Sequence, residues 1–170
     1  MKLSRSSIFK TIVPFLLLSA LWGTPAVAAE APAKLQAALI FKLLPFYTNL
    51  GGKPFNIYVL GADDVAAELK GFVGKAVGKS TLNKVESGAA LPSDKFEVVY
   101  VGQDIANAIA YTQSNKVLSV TGKDGFVNDG VTLGIGIEGK KPKILLNLSS
   151  SKAEEINWNP AILKVAATIK

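Results

Sequence analysis

The sequence has no histidine and no cysteine, and its single arginine and single methionine, Arg5 and Met1, lie at the extreme amino end. Without histidine it lacks the side chain that carries most proton transfers near neutral pH. Without cysteine it has no thiol nucleophile, no soft metal ligand and no disulfide staple. A metal site would need a dense loop of oxygen ligands, and no run of Asp and Glu supplies one. Carboxylates, lysines, hydroxyls and four tyrosines remain, on a framework with 15 glycines and 49% hydrophobic residues. Adjacent Asp63 and Asp64 project in different directions, with nothing nearby that resembles an activated nucleophile. A non-catalytic protein without cofactor or metal is therefore expected, one that binds or regulates.

Long apolar runs are also scarce. Lys2, Arg5 and Lys10 precede an uncharged stretch from Ile12 to Trp22, and Ala26-Val27-Ala28-Ala29 follows with small residues in an A-x-A pattern. That order is an export signal, cleaved near Ala28. The uncharged stretch is short of the roughly 20 residues that a membrane helix needs, and no later segment is longer. Residues 1–28 are thus expected to be removed, leaving a protein in the periplasm with no stable membrane span. Residues 29–170 are expected to form a single domain, a size at which one core suffices without disulfides.

The net charge of +6 falls to +3 when the three basic residues of that leader, which holds no acid, are removed. The basic residues left are all lysines, scattered except for Lys140, Lys141 and Lys143 beside a Gly-Pro turn. With no arginine and no basic helix, nucleic acid is not an expected partner.

Ala33 to Leu50 reads as a helix whose apolar residues surround the wheel, which implies burial on several sides; Pro45 should kink or end it. One of those sides is available to another chain, so Ile40, Phe41, Leu44, Phe46 and Tyr47 are candidate partner-binding residues, for a membrane partner or for a homodimer. Strands are expected at Phe55–Leu60, Thr81–Val85, Phe96–Val101 and Val117–Val120. Helices should follow at Asp63 to Phe72 and Asp104 to Ser114. This alternation predicts a parallel sheet covered on both faces. Val131–Glu138 and Lys143–Leu148 then read as a hairpin, Ala153–Glu155 as a helical turn, and Pro160–Ile169 as a closing helix capped by Asn159. The expected fold is α/β: a single three-layer Rossmann-like domain, with a mostly parallel sheet and an antiparallel hairpin at one edge.

Gly134-Ile135-Gly136-Ile137-Glu138-Gly139 matches G-x-G-x-x-G, but inside a strand rather than between strand and helix. It is read as a close-packing face, not a dinucleotide site. Asp63, Asp64, Gln103, Asp104, Thr121, Lys123 and Asp124 follow the carboxyl ends of strands, where open α/β sheets hold ligands. They are candidates for a small-molecule crevice, although capping of the following helices is the preferred reading of the aspartates. Ser149-Ser150-Ser151 reads as a polar turn and Trp158 as a core anchor.

Four segments resemble the YfiR-like family, over about Lys34 to Ala167. They are the opening Ala37-Ala38-Leu39-Ile40-Phe41-Lys42-Leu43-Leu44, the strand and glycine Asn56-Ile57-Tyr58-Val59-Leu60-Gly61, the stretch Val117-Leu118-Ser119-Val120-Thr121-Gly122 leading to Gly125-Phe126-Val127-Asn128-Asp129-Gly130-Val131, and the ending Ile144-Leu145-Leu146-Asn147-Leu148 with Pro160-Ala161-Ile162-Leu163-Lys164-Val165-Ala166. The resemblance implies a periplasmic regulator that restrains an inner-membrane signalling enzyme, a diguanylate cyclase or a sensor kinase, through its periplasmic region. It would thereby influence cyclic-di-GMP and biofilm behaviour. The chain departs from the family in lacking its disulfide-forming cysteines, so redox control is not available to it. A periplasmic small-solute binding protein using the strand-end crevice is the alternative.

Overall fold

The computed structural model describes residues 29–123 and 125–169. The expected export signal, its cleavage site at Ala28, and Asp124 lie outside the described residues.

In chain order the elements are β1 (Ala29–Glu30), α1 (Ala33–Leu43), β2 (Pro54–Leu60), α2 (Asp63–Lys70), β3 (Ala76–Val77), β4 (Ser80–Gly88), β5 (Val98–Val101), α3 (Ile105–Asn115), β6 (Leu118–Thr121), β7 (Leu133–Glu138), β8 (Lys141–Asn147), α4 (Leu148–Ala153) and β9 (Ala167–Ile169). All strands belong to one sheet, ordered β3-β4-β2-β5-β6-β7-β8-β9, with β1 pairing β7. The run β4-β2-β5-β6-β7 is parallel. β2 connects outward to β4 on one side and β5 to β6 on the other, the doubly wound order. Strands β2, β5 and β6 are almost wholly buried, as parallel strands covered on both faces must be.

Two apolar clusters occupy the two faces. Ala37, Ile40 and Leu43 of α1 and Val65 and Leu69 of α2 pack on Ile57, Val59, Val98, Leu118 and Leu133. Ala108 of α3, with Ile105 and Ile109 packed against its cluster, lies with Leu60, Val99 and Val101 on the opposite face. The three-layer α/β architecture expected from the strand–helix alternation is present.

Several boundaries differ from expectation, for local reasons. The opening helix ends at Leu43, and Pro45 sits in a 3₁₀ turn over Leu44–Phe46; a second turn over Thr48–Leu50 closes on left-handed Gly51. The hairpin turn is tighter than expected. Glu138 faces Lys141, so only Gly139 and Lys140 turn, and Pro142 lies within β8 opposite Ile137. Proline is tolerated there because β9 covers only Leu145–Asn147 of β8.

The closing helix is a correction. Pro160–Lys164 forms a 3₁₀ helix, capped by Asn159 accepting from the Ala161 amide, and Ala167–Ile169 then adds as a parallel strand beside β8. The open edge of β8 outweighs helix propensity in a segment carrying β-branched Val165, Thr168 and Ile169. The three serines are helical rather than a turn: Asn147 caps α4 by accepting from the Ser150 amide at 2.9 Å.

The glycine pattern of β7 is a packing device. A Cβ at Gly134 would collide with Val127, whose loop lies down on the sheet there, whereas Gly136 faces open space.

Candidate functional site

The switch point of the sheet falls between the carboxyl ends of β2 and β5, beyond Leu60 and Val101. Gly102 donates to the Leu60 carbonyl at 2.8 Å, and a Cβ at Gly102 would press on the Leu60 and Gly61 carbonyls. Gln103 lies across Gly61, where a Cβ would strike its side chain, and its amide donates to the Ala89 carbonyl at 2.9 Å. The Gln103 side chain, half-exposed, thus lies over the switch point.

The six described crevice candidates turn to their own neighbours. Asp63 and Asp64 are exposed in the first turn of α2, where negative charge suits the helix dipole. Neither is the cap residue, a position held by Ala62, and Asp64 accepts from the adjacent Val65 amide at 2.8 Å. Asp104 occupies the cap of α3, but its carboxylate accepts from the Asn107 side chain at 3.1 and 3.2 Å. Buried Thr121 donates to the Val101 carbonyl at 2.8 Å and accepts from the Lys123 amide. Lys123 pairs with Glu30 at 3.1 Å.

Beneath this end lies a polar chain that sequence inspection missed. Gln36 of α1, 1% exposed, donates to the Ala31 carbonyl and accepts from the Tyr100 hydroxyl, both at 2.6 Å. Tyr100 in turn accepts from the Gly122 amide at 3.1 Å. Burial pushes the Tyr100 phenol well above its ordinary range, with Glu30 and Asp64 adding to the rise and these hydrogen bonds opposing it. The chain fixes α1 to β5 and to the turn after β6, satisfying groups that would each be costly to bury alone.

The partner-binding candidates divide by depth. Ile40, Leu44 and Tyr47 are buried within this chain, at 1%, 1% and 5% exposure. Phe41 and Phe46 are half-buried. Phe41 stacks on Phe72 with ring centroids 4.6 Å apart, and the Lys75 ammonium stands 4.6 Å from the far ring. Tyr47 packs on half-buried Trp158, which donates to Ser151 at 3.0 Å. Burial, and then Glu154 and Glu97, push the Tyr47 phenol up to about 12.

Comparison with known families gives a match over residues 33–167 to the family described as YfiR/HmsC-like. The chain belongs to the YfiR/HmsC-like family. Members of that family are periplasmic regulators, and the four segments that carried the resemblance all fall within or across the matched span. No curated protein matches the chain. Among solved structures it is similar to a conserved domain protein from Vibrio cholerae, with TM-score 0.56 and 15% identity. It is also similar to an ABC domain from Streptococcus pneumoniae in complex with L-Trp, with TM-score 0.54 and 18% identity. Each comparison covers 82% of this chain and 60% of the other, so the chain spans less than two thirds of their length; the likeness is one of fold.

One further feature of this YfiR/HmsC-like domain was not legible as such. Glu154, just after α4, is fully buried. Its Oε2 accepts from the Ser119 amide at 3.1 Å and from the Thr132 hydroxyl at 2.6 Å, while its Oε1 has no hydrogen-bond partner. Burial raises its pKa, against the hydrogen bonds from Ser119 and Thr132. In the sequence it is one of two adjacent glutamates in a polar stretch, and nothing local marks it as the inward one. Among the described residues no helix is long and apolar enough to cross a membrane, and no group of three or more acidic side chains is placed to hold a metal ion.

Proposed function

We propose that this protein is a non-catalytic periplasmic regulator that controls a membrane-bound signalling enzyme, a diguanylate cyclase or sensor kinase, by contact with the enzyme's periplasmic region. Membership of the YfiR/HmsC-like family over most of the chain carries this reading. The absence of histidine and cysteine from the sequence supports it by removing the commonest acid–base and nucleophilic groups.

Of the residues first considered for contact, Phe41 and Phe46 are the accessible ones. The Phe41–Phe72–Lys75 stack offers a partner an aromatic surface already held in place, which limits the side-chain entropy lost on binding. Ile40, Leu44 and Tyr47 support that surface from below. The same surface would serve a homodimer.

Phe41→Asp tests the reading in cells that depend on such an enzyme. It should release the enzyme, which for a cyclase raises cyclic-di-GMP several-fold at unchanged protein level, with the melting temperature lowered by loss of the half-buried stack on Phe72, worth about 1 kcal/mol. Unchanged output from a folded Phe41→Asp protein would remove this face from the proposal.

The small-solute reading would use Asp63, Asp64, Gln103, Asp104, Thr121 and Lys123. One observation favours it, the L-Trp bound by the Streptococcus pneumoniae domain of similar fold. A melting-temperature screen led by L-Trp decides it, since a ligand specific to the native state stabilises by mass action.

A further inference from the structure

We infer that a groove along the amino-terminal ends of the strands is a docking site for an extended acidic segment of a protein partner. The inference rests on the regulator reading only for the partner being a protein.

Two clefts make the groove, of about 640 Å³ and about 280 Å³, and they share Asn49 and Lys116 as a common wall. The smaller lies beside Pro54, Glu97 and Lys116, which stand at or just before the starts of β2, β5 and β6. The groove is thus at the opposite end of the sheet from the switch point and Gln103. Its wall is firmly built. Asn49 donates to the Glu155 carbonyl at 3.1 Å and accepts from the Asn157 amide at 2.7 Å, while the Thr48 hydroxyl donates to the Asn157 carbonyl at 2.9 Å. Tyr47 lines the smaller cleft and Trp158 the larger, so each has an aromatic surface.

Charge selects the occupant. Lys53, Lys95, Lys116 and Lys152 come from four separate parts of the chain and converge on the groove, against two carboxylates, Glu97 and Glu155. All four lysines are exposed. Glu97 is already engaged, accepting from the Asn56 amide at 2.8 Å. Lys116 is held by Glu155 and by the Ala153 carbonyl, both at 3.1 Å. These two paired residues are both left-handed, with φ of 56° and 55°, and Asp104 is the third described non-glycine residue with positive φ. Lys116 and Glu155 take this conformation because they close α3 and α4, with the Val117 and Ile156 amides donating back to Thr112 and Ser151, which fixes the backbone under the pair. Two adjoining clefts lined by four lysines, with Tyr47 in one and Trp158 in the other, suit an extended chain carrying several carboxylates. Complementary charge of this kind governs encounter and register.

The test is an anisotropy titration of the purified protein with fluorescein-labelled decaglutamate, with Trp158 emission followed in parallel. Saturable binding should move both signals together. The double variant Lys53→Glu/Lys95→Glu should weaken it by about tenfold or more, with unchanged melting temperature because both side chains are exposed. Lys34→Glu/Lys42→Glu, on the exposed side of α1 and outside the groove, should leave affinity as it was. No saturable binding, equal loss in the two double variants, or a constant Trp158 signal would each overturn the proposal. Binding of deca-thymidylate as tight as that of the peptide would overturn it too, as a general affinity for polyanions. The regulator reading fails separately. Should the groove variant capture a membrane enzyme as well as wild type does, the groove falls and the regulator stands; should neither capture one while decaglutamate binds, the reverse holds.

Discussion

A carboxyl sealed among hydroxyls and backbone must either hold its proton or be compensated in full, and Glu154 has donors for one oxygen only. Beside it the ladder between β6 and β7 stops at the Val120–Leu133 pair. Side chains continue it: the Ser119 hydroxyl accepts from the Thr132 amide at 2.8 Å, and Glu154 takes the Ser119 amide. Because burial raises its pKa in the folded state, the native protein holds this proton to higher pH than the unfolded chain does. Stability attributable to Glu154 is therefore present at acid pH and lost as pH rises through the raised value. As pH rises above the ordinary carboxylate range, the wild-type melting temperature should fall more than that of Glu154→Gln, which has no proton to lose. Parallel pH profiles for the two proteins would contradict this. Glu154→Ala should cost about 1–3 kcal/mol in urea unfolding at acid pH, where the wild type keeps the full contribution, since it leaves the Ser119 and Thr132 donors without a partner, and the difference should shrink as pH rises.

Among elements, β7 tests the reading of glycine as packing surface. Gly134→Val must displace Val127 and should cost about 1–3 kcal/mol, as overpacking does. Gly136→Val, two residues along the same strand, meets open space and should be neutral or slightly stabilising. Equal denaturation midpoints for the two variants would show that the loop carrying Val127 does not depend on this contact. The literal G-x-G-x-x-G string thus acquires its meaning from the element that holds it. In α1, the all-round apolar wheel was a true sign of burial on several sides, but most of the burial is intramolecular. Ile40 and Leu43 enter the core, and Gln36 is buried as deeply through its bonds to Ala31 and Tyr100. A wheel shows which residues avoid water; it does not show whether their neighbours belong to the same chain.

Across the whole molecule, the parallel centre was legible because strands buried on both faces are unbroken apolar runs, as in Ile57–Leu60 and Val98–Val101. Short edge strands were not. β1, β3 and β9 have two or three residues each and exist by pairing with a neighbour, a condition set by the sheet and not by local propensity. Convergence was equally hidden. Lys53, Lys95, Lys116 and Lys152 read as scattered solvated charges until the fold brings the segments before β2, β5 and β6 and the end of α4 together. The candidate crevice was placed by the general rule for such sheets, and no spacing announces that the side chain of Gln103 lies across Gly61 there.

Regulation by protein contact is the central claim, and capture from gently crosslinked, detergent-solubilised cells tests it most directly. Tagged wild-type protein should enrich an inner-membrane cyclase or sensor kinase, identified by mass spectrometry, and Phe41→Asp should lose most of that enrichment. Recovery of the protein alone, from cells shown to make such enzymes, would contradict the account.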